Sequence, residues 1–282
     1  MEIYQESATS LLSRLRAGEL SSVEIVQALI ARIERHNSEV NAIIQPRYDE
    51  ALDEAAAADR LRGRGEGGAL CGLPMTIKEN LYLRGTKSTI GLSALSENSP
   101  DEDAVLVDAV RDEGVVILGK TNVPQLLLAQ ETENAIWGLT PNPWHSGRSS
   151  GGSSGGESAA IASGFAPFGL GSDIGGSIRI PCHFTGLTGL KPTVDRWSNR
   201  GMLGAAPGQE LVRAQSGPMA RTVDDLILLW NTLDPVKMSS RDAFVPPLPT
   251  QDPAGVDLSG MRIGWFDTDG FVTPTGAVRR GA

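Results

Sequence analysis

The sequence predicts an α/β fold built on a largely parallel sheet. Three observations support this. Short apolar runs, Leu73 to Ile77, Val115 to Leu118 and Phe168 to Leu170, have the length of buried strands. Between them lie longer stretches with apolar residues at helical intervals. The alternation strand, helix, strand then favours parallel pairing, because parallel neighbours need a crossover between them.

Taken in order, Ser21-Ser22-Val23-Glu24 has the spacing of a capping box. Val23, Val26, Leu29, Ile30 and Ile33 follow at helical intervals, so a helix is expected to end near His36-Asn37. Tyr48 to Leu61 is an Ala-rich helical run closed by the loop Arg62 to Gly68. Residues 1–64 therefore read as a helical segment packed on the body. Leu73 to Ile77 is a strand that delivers Lys78 at its end. Asp101 to Glu113 reads as a helix with acids in its first turn, matched to the helix dipole. Pro124 is expected to open a helix carrying Leu126, Leu127 and Leu128. Phe168 to Leu170 is a strand, and Thr222 caps a helix running through Trp230. Val245-Pro246-Pro247-Leu248-Pro249 is a stiff linker, and Met261 to Phe266 reads as a further strand. Thr273-Pro274 has the form of an N-cap with proline at the first helical position, so a helix is expected from Pro274 to Ala282.

The net charge of −9 over 282 residues argues against a nucleic-acid backbone as partner. Two cysteines are too few for a disulfide framework, and no apolar run reaches the ~20 residues of a membrane span. With no signal-peptide pattern at the N-terminus, a cytoplasmic protein is expected. Three histidines and two cysteines without ligand spacing leave no metal site and no cofactor.

The chemistry concentrates in Gly151 to Pro181. Two Gly/Ser knots, Gly151-Gly152-Ser153-Ser154-Gly155-Gly156 and Gly171-Ser172-Asp173-Ile174-Gly175-Gly176-Ser177, flank the helix-forming segment Glu157 to Ala162. Glycine lets backbone approach a ligand closely, and convergent N–H groups make an anion-binding nest. Glycine beside serine thus suggests a nucleophile next to an oxyanion hole. Two other motifs are rejected. Gly114 to Thr121 fits the phosphate-loop pattern, but its interior residues are the apolar strand, which leaves no loop to cradle phosphate. Gly151 to Gly155 fits the G-x-S-x-G elbow, but Ser146 to Ser150 reads as loop rather than a lead-in strand, and only His183 follows. Cys182 and His183 are neighbours and point to different faces of a helix.

The two knots, with Pro74-Met75-Thr76-Ile77-Lys78-Glu79-Asn80 upstream, resemble the amidase signature family. Gly119 to Gln125, Asn142-Pro143-Trp144, Gly189 to Thr193 and Gly217 to Arg221 extend the likeness over nearly the whole chain. Lys78 lies 75 residues before Ser153, and Ser177 lies 24 after it. The resemblance implies one domain with a mixed, largely parallel central sheet covered by helices on both faces. It also implies that the chain is an N-terminal portion of a longer protein. The family pattern assigns Ser177 as nucleophile, Ser153 as a bridging serine on a cis peptide bond, and Lys78 as general base. The N–H groups of Ile174, Gly175, Gly176 and Ser177 would form the oxyanion hole. Ser154 and Leu127 are substrate-binding candidates; Asp173 and Arg179 are expected to pair structurally. Ser150 stands where the family often has proline.

The implied activity is hydrolysis of a small-molecule amide without cofactor, and a homodimer is left open. Asn122 to Gln125 and Ser172 to Pro181 look nearest to the fatty acid amide hydrolase branch, which implies an apolar acyl or aryl group. The alternatives are the A subunit of a glutamyl-tRNA amidotransferase and an inactive fragment.

Overall fold

A computed structural model describes residues 2–204, 212–249, 253–264, 268, 270–276 and 278. Residues 1–250 form one compact unit and 251–282 a second, smaller one. In the first unit, helix α1 (Ala8–Ala17) is capped by Ser7, whose hydroxyl accepts the N–H of Ser10. Helix α2 (Ser22–Val40) starts at the predicted capping box, with both reciprocal bonds between Ser21 and Glu24 formed. It runs one turn past the expected end and stops at Asn41, a left-handed cap with φ 47°. Strand β1 (Ile43–Pro46) and helix α3 (Tyr48–Gly63) follow.

The sheet is assembled from β1, β2 (Pro74–Lys78), β3 (Val116–Thr121), β8 (Phe168–Asp173), β9 (Thr188–Gly189) and β10 (Gln215–Ala220). Its order is β1-β3-β2-β8-β10-β9. The centre, β3-β2-β8, is parallel, while β1, β10 and β9 pair antiparallel at the flanks. The sheet is therefore mixed with a parallel core. All residues of β2, β3, β8 and β10 are buried, the pattern of a sheet covered on both faces. Two short ribbons lie outside it: β4 (Glu133–Asn134) with β5 (Gly138–Leu139), and β6 (Pro141–Asn142) with β7 (His145–Ser149).

Helix α4 (Val105–Asp112) is shorter than its acidic lead-in suggested; Asp101 to Asp103 precede it and Ala104 caps it. Pro124 opens no α-helix. Gln125–Leu127 is a single 3-10 turn in which Leu126 and Leu127 take φ of 56° and 58°. Leu126 N–H instead donates to Ile90 O at 2.7 Å, a tertiary bond that outcompetes helical continuation. Helices α5 (Gly155–Ala162), α6 (Arg179–Thr185), α7 (Val223–Thr232) and α8 (Pro235–Ser239) complete the unit. In α7, Thr222 caps as expected, accepting the N–H of Asp225. In the second unit, residues 261–264 form no strand, and the rest of the expected strand and most of the helix expected from Pro274 lie outside the described residues.

One large apolar cluster joins α1, α2, α4 and α7 to the sheet. Trp197 is its bulkiest fully buried member. Its ring lies 5.6 Å from that of Trp230, and Nε1 donates to Leu233 O at 2.8 Å. Trp197→Ala removes both contacts and leaves a cavity, so urea unfolding should show a loss of about 3–5 kcal/mol.

Candidate active site

Lys78 ends β2. Thr76 and Lys78 share one face of the strand and Met75 and Ile77 the other, since side chains alternate. Lys78 is fully buried, and its Nζ lies 2.8 Å from Ser153 Oγ, 2.9 Å from Ser172 Oγ and 3.3 Å from Ser172 O. Burial, the largest influence, lowers its pKa to about 7 against the opposing pull of Asp173, Glu157 and Glu79. An amine at that value is half neutral near physiological pH and able to accept a proton.

Ser153 sits in the first Gly/Ser knot, immediately before α5, and the Gly152–Ser153 peptide is cis. The knot is held from below by Thr132 Oγ1 donating to Gly151 O at 2.9 Å and by Ser150 Oγ donating to Thr140 O at 2.9 Å. Ser150, at the position where the family often has proline, thus supplies its own anchor. Ser154 N–H donates to Ser177 O at 3.1 Å and so joins the first knot to the second. The expectation that Ser154 faces substrate is not met. Its hydroxyl is fully buried, donates to Ser172 O at 3.2 Å and accepts Ser172 N–H at 3.3 Å.

Ser177 follows a turn that closes around Asp173. The Asp173 carboxylate accepts the N–H groups of Gly176 at 2.9 Å, Ile178 at 3.0 Å and Arg179 at 3.3 Å. Arg179 adds a two-pronged ion pair, at 3.0 Å and 2.8 Å. Burial alone would raise the Asp173 carboxyl, but the Arg179 guanidinium and these N–H groups outweigh it and hold its pKa at about 2. Gly176, at φ 114°, takes a conformation that side chains avoid. Its N–H is committed to Asp173, which leaves the N–H groups of Ile174, Gly175 and Ser177 without an acceptor among the described residues. Ser177 Oγ has no hydrogen-bond partner there either, while the residue is only 5% exposed.

Asp173→Ala should cost on the order of 2 kcal/mol at neutral pH. The sign follows from a depressed carboxyl pKa. The stabilisation is present above the unfolded value of about 3.9 and is lost as pH falls through about 2. Acid unfolding of the variant should therefore lose its steepness in that window.

Leu127 is half-buried in the 3-10 turn. The segment after it approaches the second knot, with Gln130 Nε2 donating to Gly175 O at 3.4 Å. The rejected motifs fare differently. In Gly114 to Thr121, the last six residues are β3, and Lys120 is buried with Nζ on Lys87 O at 2.7 Å and Ser88 Oγ at 2.6 Å. Before the elbow-like motif there is a strand after all, β7, but it belongs to an exposed two-stranded ribbon rather than the central sheet. His183 is exposed on α6. Among the described residues no group of three His, Cys, Asp or Glu could hold a metal ion, and no helix is long and apolar enough to cross a membrane.

Two members of the cluster were not singled out from sequence. Ser172 was visible only as one serine among several in its knot. Glu157 read as a helix former, yet it is fully buried and accepts the hydroxyls of Thr76 at 2.5 Å and Thr121 at 2.7 Å. A buried lysine contacting two serines from two glycine-rich turns is the arrangement for which the comparisons with known proteins are decisive. The family profile described as Amidase matches residues 24–282. This chain belongs to the amidase family.

The family's diversity appears in the relatives. The chain is 39% identical, over 93% of its length, to the A chain of the glutamyl-tRNA(Gln) amidotransferase of Chromohalobacter salexigens. It is 38% identical over 96% of its length to fatty-acid amide hydrolase 1 of Sus scrofa. It covers 53% and 45% of those two proteins, so it spans about half the length of the curated relatives it matches. A solved fatty acid amide hydrolase superposes with a TM-score of 0.85 at 36% identity, over 89% of this chain and 44% of that one.

Proposed function

We propose that this amidase-family chain carries the acyl-transfer centre of an amide hydrolase, with Ser177 as nucleophile, Ser153 as proton bridge and Lys78 as general base. The observation that carries this reading is the fully buried Lys78 amine, held 2.8 Å from Ser153 Oγ. Ser177 Oγ attacks the amide carbonyl carbon and its proton passes to Ser153 Oγ. Ser153 gives its own proton to Lys78, and the carbonyl π pair moves onto oxygen. The N–H groups of Ile174, Gly175 and Ser177 face that charge, while Gly176 shapes the turn. The relay then runs backwards, the C–N bond breaks and the amine leaves with a proton. Water hydrolyses the resulting ester by the same path.

The finer proposal is an apolar acyl or aryl amide as substrate, with Leu127 as one apolar contact. It is supported by the relative named for fatty-acid amides and by the half-buried leucine beside the second knot. A mass-spectrometric time course on an amide series tests it: rates should rise with acyl length, and equal rates on acetamide and long-chain amides would refute it. The second reading is a glutaminase-type component of a larger complex, favoured by the 39% identity to the amidotransferase relative. Glutamine hydrolysis appearing only when partner proteins are added would establish that reading instead. A cytoplasmic location belongs to the same proposal, and a homodimer remains open to it.

A further inference from the structure

In the relay, Lys78 becomes an ammonium ion at a position with no solvent exposure. A charge created there needs a compensating charge nearby. Three carboxyls face it. Asp173, on β8, is already neutralised by Arg179 and by three N–H groups. Glu79, beside Lys78, is taken up by the turn that follows. It accepts the N–H and hydroxyl of Thr89 and the N–H of Ile90, the last two at 2.7 Å and 3.0 Å. It also faces Lys120 of β3, whose amine is bound to Lys87 O and Ser88 Oγ. Glu157, on α5, has no cation in contact and receives only the two threonine hydroxyls. The remaining titratable neighbour, the Cys182 thiol of α6, is pushed up to about 12 by burial and stays neutral.

The sheet makes room for this carboxylate. A Cβ placed on Gly169 would lie 1.7 Å from Glu157 Oε1. Thr76 of β2, Thr121 of β3 and Gly169 of β8 thus form one cradle spanning the three parallel strands. A merely structural glutamate on a buried helix face has no need of such a place.

We infer that Glu157 is a positioning residue of the reaction centre, the buried counter-charge that holds the proton on Lys78 when Ser153 delivers it. This rests on the relay proposed above. Burial raises the Glu157 pKa to about 7 against the two threonine hydroxyls and Lys78, so the lysine and the carboxyl exchange protons in one range. Above that range the pair is neutral amine and carboxylate, ready to receive one proton.

The test is the pH dependence of covalent labelling by a fluorophosphonate, in which Ser Oγ forms a bond to phosphorus and fluoride leaves. Wild type, Glu157→Gln, Glu157→Asp and Thr121→Val are compared, with folding checked by circular dichroism. Loss of the negative charge makes Lys78 easier to deprotonate. The labelling midpoint in Glu157→Gln should therefore move down by about one pH unit, with a lower plateau. Glu157→Asp keeps the charge and should keep the midpoint. Thr121→Val removes one donor to the carboxylate and should move the midpoint in the same direction by less, which preserves the test if Glu157→Gln does not fold. A lower plateau with an unmoved midpoint in folded variants would overturn the counter-charge and leave the relay standing. Labelling of wild type that persists in Ser177→Ala would overturn the relay itself.

Discussion

Ser177→Ala is expected to abolish covalent labelling by a fluorophosphonate, with a single adduct on wild type and none on the variant by intact mass. The predicted loss is on the order of 10⁴-fold or more, because no other group can form the acyl-enzyme. Stability should barely change. Ser177 Oγ has no partner among the described residues, and its backbone bond to Ser154 survives the substitution. An adduct that moved to Ser153 would instead show that the two serines are assigned the wrong way round. Absence of an adduct on folded wild type would mean that residues 1–282 do not form a working centre.

Lys78→Met should separate function from stability. Removing the base is expected to slow labelling by roughly 10²- to 10⁴-fold at neutral pH. Wild-type labelling should rise as pH increases through about 7, because Lys78 acts only when neutral, and the variant should lose that rise. The stability effect has the opposite sense. A lysine whose folded value is about 7 and whose unfolded value is about 10.4 binds fewer protons when folded. Folding stability then increases with pH between those values, and burial of the lysine costs most below about 7. Lys120, also lowered to about 7 by burial, contributes the same slope. In Lys78→Met the slope of stability against pH between about 7 and about 10 should roughly halve, and the thermal midpoint at pH 7 should not fall. A thermal midpoint well below wild type would show that the amine's three contacts outweigh its desolvation.

What the linear sequence determined is everything carried by local chemistry. The Ser21–Glu24 capping box, the Thr222 cap and the buried runs ending in Lys78 and Asp173 act within a few residues, where spacing alone specifies the hydrogen bonds. The two Gly/Ser knots were legible for the same reason, since only glycine tolerates their turns and only serine between glycines suggests a nucleophile. The tertiary structure decided what depends on partners distant in the chain. Ile90 O captures Leu126 N–H and turns an expected helix into a 3-10 turn. Ser154 spends its hydroxyl on Ser172, and Gly176 spends its N–H on Asp173. Glu157 looks like an ordinary helix residue until the strands bearing Thr76, Thr121 and Gly169 meet around it. Burial supplies the reason in each case. A polar group removed from water must find a partner or shift its pKa, and which partner it finds is set by the packing of the whole sheet.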